Sequence, residues 1–224
     1  MNTEATGRRN AARPAVKWFA FLLLLLLPAS AFARKQAPLQ LRSGDLIFQD
    51  LDCGPMCDAI EEVTTGYKGN RFSHVGLVHE TDSALMVIEA VGGGVRQIPL
   101  DSFMHRTAHT MYVGRVKKPY RHLIPEAMAF ALRQLGKPYD DAFIYGNDKY
   151  YCSELIYDAF KAANQDKDFF TLEPMTFKQP GAAAFYPVWI NYYRELGTEI
   201  PEGKPGCNPG GLSRSPRLDI VGTL

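Results

Sequence analysis

Ser73-His74-Val75-Gly76-Leu77-Val78-His79-Glu80, then Thr81-Asp82-Ser83-Ala84, then Leu85-Met86-Val87-Ile88-Glu89-Ala90-Val91 reads as a β-hairpin. Two apolar, β-branched runs flank a short polar turn, the pattern of paired antiparallel strands. With that turn Glu80 faces Leu85, so Gly76 faces Glu89 and His74 faces Val91. Side chains alternate along a strand, which puts 74, 76, 89 and 91 on one face. His74 and Glu89 then lie on a diagonal that side chains can bridge, and Gly76 between them offers no obstruction. Taken alone, His74 is as readily a half-buried strand histidine. Glu89 is harder to dismiss, because a charge in an apolar strand is costly to bury unless paired. A carboxylate holding one imidazole nitrogen orients the ring and makes it more basic. His79 falls on the opposite face and is expected to be exposed. The inference depends on register, since a one-residue slip sends Glu89 to the other face.

Outward from the hairpin, Ser43-Gly44-Asp45-Leu46-Ile47-Phe48 is a turn entering a strand, and 57–65 is a short helix. Gly92-Gly93-Gly94 turns the chain into a strand over 95–100. A helical segment around 101–105 and a strand over 111–116 follow. The period then changes to helical over 124–135, with Gly136 as cap and Pro138 as stop. A loop from Tyr139 to Lys149 leads to a second long helix. Residues 164–187 form an irregular, aromatic-rich stretch, 188–196 a last helix, and the Gly/Pro-rich tail from 197 is expected to lack regular structure. Strands first and helices later predict a single α+β domain.

Cys152 opens that second helix, in Tyr150-Tyr151-Cys152-Ser153-Glu154-Leu155, with Asn147 and Asp148 as expected cap and first-turn residues. Leu155, Ile156, Ala159, Phe160 and Ala163 continue its apolar stripe. A thiol at a helix N-terminus is favoured as thiolate by the helix dipole. The plainer reading is a buried cysteine packing as a small hydrophobe. Glu154 is expected to point away from the thiol, and no nucleophile elbow surrounds Ser153. His105, His109 and His122 have only surface contexts.

The composition excludes a nucleic-acid-binding class: the formal charge is +1, hydrophobic residues make up 46%, and there is no basic stripe. The first 33 residues read as an export signal, with Arg8, Arg9, Arg13 and Lys17 before Trp18-Phe19-Ala20-Phe21, a run of leucines from Leu22 to Leu27, and Ala29-Ser30-Ala31-Phe32-Ala33 at the cut. The apolar run is shorter than the roughly 20 residues of a membrane span, so no stable span is expected after cleavage. A secreted or periplasmic protein is expected, with 34–224 as one catalytic domain. In that compartment Cys53 and Cys57 suit a small disulfide, although reduced thiols or pairing with Cys207 remain open. No His or Cys lies near Cys53 and Cys57 at zinc spacing, so neither a metal nor a cofactor is expected.

Leu135-Gly136-Lys137-Pro138-Tyr139 followed by Tyr151-Cys152-Ser153-Glu154-Leu155 resembles the cysteine segment of NlpC-type cell-wall peptidases. In that family it precedes a Gly-Asp strand and a His-Val-Gly strand; here Gly44-Asp45-Leu46 and His74-Val75-Gly76 come first. The chain therefore resembles the circularly permuted, YiiX-type papain-like hydrolases, relatives of the lecithin:retinol acyltransferases. The resemblance implies an antiparallel sheet packed on helices, a nucleophile at a helix N-terminus, and a catalytic triad of Cys152, His74 and Glu89. It implies a thiol hydrolase of amides, with a peptide or peptidoglycan fragment as the expected partner. Asp45 and Tyr139 are candidates for substrate contact, with Asp45 holding an amine; Tyr150 or Tyr151 is the candidate oxyanion donor beside the Cys152 amide. A lipid amidase or acyltransferase is the alternative, with Phe169, Phe170, Phe177, Phe185, Tyr186 and Trp189 lining an acyl groove instead of covering a helix. A non-catalytic binding module is the third reading.

Overall fold

The computed structural model describes Met1, Asn2 and residues 39–224; the segment read as an export signal lies outside the described residues. Among the described residues no helix is long and apolar enough to cross a membrane. In chain order the elements are β1 (Leu46–Gln49), α1 (Pro55–Glu62), β2 (His74–Glu80), β3 (Leu85–Val91), β4 (Gly94–Pro99), α2 (Leu100–Met104), β5 (Tyr112–Val116), α3 (Ile124–Arg133), α4 (Cys152–Ala163), β6 (Glu173–Pro174), α5 (Pro187–Leu196), β7 (Pro205–Gly206), α6 (Pro209–Ser213) and β8 (Leu218–Thr223).

Six strands form one antiparallel sheet in the order β4-β3-β2-β1-β5-β8, and β6 pairs with β7. The hairpin has the register that its turn predicts: Glu80 faces Leu85 and Leu77 faces Ile88. Beyond Leu77 and Ile88 the two strands part company. There β2 continues against β1, with His74 opposite Gln49, while β3 continues against β4, with Glu89 opposite Arg96. The sheet opens at the end that carries His74 and Glu89.

One face buries Val75, Leu77, Ile88 and Ala90 against Leu155, Ile156, Ala159 and Phe160 of α4. The other buries Ile47, Val78 and Val87 against Phe103 of α2. The apolar stripe of α4 does not pack on the face of positions 74, 76, 89 and 91. That stripe lies on the opposite face, and the first residue of α4, Cys152, is nonetheless a neighbour of the His74 ring. Helix α4 begins at Cys152 itself, with Tyr151 in extended conformation at the cap and no side-chain cap bond, so Asn147 and Asp148 do not cap it.

Gly94 (φ 99°) lets β4 approach the turn after α3. A side chain there would meet Lys137 O at 2.5 Å, and Val95 N donates to that same carbonyl at 2.8 Å. This contact fixes the loop that leads to Tyr139.

The tail is not irregular. It contributes β7, α6 and β8, and β8 forms the edge strand beside β5. Its alternation is interrupted by Asp219 and Gly222, which hid it behind the surrounding Gly and Pro residues. Between α4 and α5 the aromatics divide. Phe169 stacks on Phe160 at 4.9 Å in the main core, while Phe177 packs on Trp189 at 5.0 Å in a separate cluster with α1 and α5.

Candidate active site

Cys152, His74 and Glu89 are all buried, at 6%, 4% and 0% exposure. Glu89 accepts from His74 Nε2 at 2.7 Å. With Nε2 occupied, Nδ1 is the nitrogen available to Cys152, and the thiol is a direct neighbour of the ring. Burial works against the imidazolium, but the contacts with Cys152 and Glu89 outweigh it and raise the His74 pKa above its ordinary value. Cys152 stands at the first position of α4, where helix N–H groups have no intrahelical acceptor.

Glu89 has two partners that sequence reading did not find. Arg96 Nε donates to Oε1 at 3.0 Å and Arg106 Nη2 to Oε2. The Arg106 guanidinium also lies 4.7 Å from the centre of the Phe103 ring. Burial pushes Glu89 up, yet the hydrogen bond and charge of His74 and the charge of Arg106 prevail and hold it at about 2. Arg96 faces Glu89 because the turn is only Gly92-Gly93; the three-glycine turn read from the sequence would put Gln97 there, and Arg106 comes from a loop whose course no local pattern sets.

The four substrate candidates part ways. Asp45 is 1% exposed and its carboxylate is spent on Arg115, with bonds of 2.7 Å from Nε and Nη2, and on Arg42 N at 3.0 Å. It is a structural ion pair tying β5 to the start of β1, so the expected amine contact is corrected. Tyr150 donates to Gln134 at 3.4 Å, away from the thiol. The Tyr151 hydroxyl accepts from Cys207 N at 3.2 Å, which leaves its own proton to donate, and Tyr151 lines the same cavity as Cys152. Tyr139 shares a cavity with Cys152, and burial together with the neighbouring thiol raises its pKa well above the usual phenol value. It remains a protonated donor beside the nucleophile.

That cavity measures about 500 Å³. Ile60 of α1 and Val63 at its C-cap, with Phe143, Met175, Phe177 and Trp189, give it an apolar wall, and Glu173 and Arg214 lie in its lining. Of the six aromatics considered for a groove, Phe177 and Trp189 line it, while Phe169 and Phe170 belong to the core against α4. Cys53 and Cys57 form a disulfide; Cys207 is a free, buried thiol in the cavity lining. Glu154 is buried, accepts from Gly146 N at 2.8 Å, and is pushed up to about 8, chiefly by burial.

A second cluster lies at the end of β1. Ligand atoms of Asp50, Asp52 and His109 fall within 4.8 Å of one another, and His109 Nε2 is 3.1 Å from Asp52 Oδ1. Glu61 of α1 is buried against Asp50 and Ser73.

Comparison with known proteins places this geometry in context. Residues 40–222 match the family model described as permuted papain-like amidase enzyme, YaeF/YiiX. The uncharacterized protein YiiX of Escherichia coli is 32% identical over 144 residues, 63% of this chain and 66% of the relative, just under two thirds of that protein's own length. The crystal structure of metalloprotein YiiX from Escherichia coli has the same fold, with a TM-score of 0.68 at 24% identity, over 83% of this chain and 99% of that one.

Proposed function

The chain belongs to the permuted papain-like amidases of the YaeF/YiiX type, and from that premise we propose that it is a thiol hydrolase cleaving amide bonds through Cys152, His74 and Glu89. The observation that carries this reading is the His74–Glu89 bond of 2.7 Å with Cys152 as the ring's other partner at a helix N-terminus. Nδ1 of His74 takes the thiol proton, the sulfur attacks the amide carbonyl, and the imidazolium returns the proton to the leaving amine. Water, activated by the same imidazole, then hydrolyses the thioester. Glu89, an anion fixed by two arginines, holds the ring. The N–H of Cys152 and the hydroxyl of Tyr139 are the donors for the oxyanion.

Iodoacetamide labelling of Cys152 as a function of pH tests the pair, with Cys207 followed as an internal control. Labelling at pH 6 should far outpace that of an ordinary thiol and should collapse in His74→Ala. A slow reaction indifferent to His74 would mean an inert core cysteine.

The substrate is an amide with a sizeable apolar group beside the scissile bond, which suits the apolar cavity wall. The first 33 residues support export, and stem peptides of peptidoglycan are the amides met there. The same wall favours a second reading, a lipid amide or ester. Parallel assays on purified muropeptides and on an N-acyl fluorogenic amide separate the two. Fractionation of a C-terminally tagged protein tests export, which fails if the tag stays cytoplasmic.

The solved relative is a metalloprotein, and in this chain the donors that fit a metal are Asp50, Asp52 and His109 beside the buried Glu61. Such an ion would supply fixed positive charge at the end of β1. No step of the hydrolysis above requires it.

A further inference from the structure

We propose that Asp50, Asp52, Glu61 and His109 bind one divalent ion of the zinc or manganese class, and that this ion pins three segments around the active site. Two independent observations converge on it. Donor atoms of Asp50, Asp52 and His109 already gather within 4.8 Å although they come from the end of β1 and from the loop between α2 and β5. Glu61, from α1, is 7% exposed, lies against Asp50, and keeps Oε1 buried with no hydrogen-bond partner. A buried carboxylate oxygen left unpaired is costly, and a cation is the partner that satisfies it.

The donors define the ion. One imidazole with carboxylates suits Zn²⁺ or Mn²⁺ better than the all-oxygen preference of Ca²⁺ or Mg²⁺. Thiolates are excluded from the set, since Cys53 and Cys57 are joined in a disulfide. Two donors each about 2.1 Å from one ion can be no more than about 4.2 Å apart, so modest side-chain rotations close Asp50, Asp52 and His109 on it, while Glu61 reaches it from beside Asp50. The four residues stand at 50, 52, 61 and 109 along the chain, with no short motif to mark them in the sequence.

The position gives the ion a task away from the reacting atoms. Helix α1, through Ile60 and its C-cap residue Val63, forms a wall of the Cys152 cavity. The loop bearing His109 also bears Arg106, which grips Glu89. The strand that runs into Asp50 pairs Gln49 with His74. One ion would therefore tie the cavity wall, the Glu89 clamp and the His74 strand together.

The test is isothermal titration of the EDTA-stripped full protein with Zn²⁺, alongside thermal melts and the visible spectrum of the Co²⁺ form. One ion per chain is expected, with a raised Tm. Asp52→Asn and His109→Ala should each weaken binding tenfold or more, and the isosteric Glu61→Gln should do so while keeping its far-UV spectrum. Cys152→Ala should bind as the parent does. The proposal is overturned by sub-stoichiometric binding, or by binding that survives Asp52→Asn and His109→Ala but disappears in Cys152→Ala, which would put the ion on the thiol–imidazole pair. No arm uses hydrolysis, so the outcome is independent of the catalytic reading.

Discussion

Glu89 sits between an imidazole and two guanidiniums, and its titration is therefore a stability statement. Its pKa falls from 4.5 to about 2 on folding, so it contributes stability that is present above 4.5 and lost as pH drops toward 2. A shift of that size corresponds to about 3 kcal/mol. The pKa of His74 moves the other way, so its contribution is complete below 6.5 and is lost as pH rises through its folded value. Urea denaturation from pH 2 to 9 should show both limbs. Glu89→Gln should remove the acid limb and lower stability near neutrality, leaving two arginines short of their anion; an unchanged acid limb would mean that Glu89 is not the group responsible. At Tyr139 the prediction is kinetic. Tyr139→Phe should reduce kcat by about 10²-fold, the cost of losing one oxyanion donor, while leaving the Cys152 alkylation rate intact. Equal loss in both would make Tyr139 a packing residue.

Among the elements, the hairpin of β2 and β3 and the helix α4 were legible because local period sets both. A polar turn of defined length fixed the register, and a helical stripe fixed α4. What local period cannot give is which face of the sheet a distant helix covers, and α4 covers the face opposite His74 and Glu89. The glycine between His74 and Glu89 turned out to serve packing. A Cβ on Gly76 would lie 2.4 Å from Val87 Cγ1 and 2.7 Å from the Phe103 ring. Phe103 in turn carries Arg106 on its face and stands 5.7 Å from the His74 ring. Gly76→Ala should cost about 1–3 kcal/mol by overpacking and should depress activity by displacing both neighbours. Activity at parental level with a melt lowered all the same would separate the sheet from the site. Glu154 tests α4 differently. Its folded pKa of about 8 means that its ionisation opposes folding progressively as pH rises from 4.5. Glu154→Gln keeps an oxygen for Gly146 N and should stabilise the protein at pH 8 by about 1–3 kcal/mol, with labelling of Cys152 unaffected. A destabilised variant would mean that the carboxylate is needed as an anion.

At the scale of the whole molecule, the Gly/Pro-rich tail closes the sheet, and the sequence concealed this because long-range pairing leaves no local mark. Strand β8 follows β5 by about a hundred residues and pairs from Tyr112 opposite Thr223 to Val116 opposite Leu218, with a register shift between Val113 and Gly114. Leu218 and Ile220 join the core beneath α4, while Val221 and Leu224 join the cluster on the opposite face. Met111 and Leu224 exchange backbone bonds of 3.4 and 3.0 Å at the end of the pair. The strand thus supplies both faces and satisfies the ladder of β5, which also pairs with β1 and holds Asp45 through Arg115. Removing 216–224 exposes β5 as a flat edge and uncovers apolar surface on each side, at a cost on the order of 3–5 kcal/mol. Set against a total stability of about 5–15 kcal/mol, that loss should lower the urea midpoint sharply and produce scattering aggregates at micromolar concentration. Leu218→Ala in the intact chain should show part of the destabilisation without the aggregation, because the edge stays covered. A truncated protein that remains monodisperse with an unshifted midpoint would show that β8 is dispensable and that β5 tolerates being the edge.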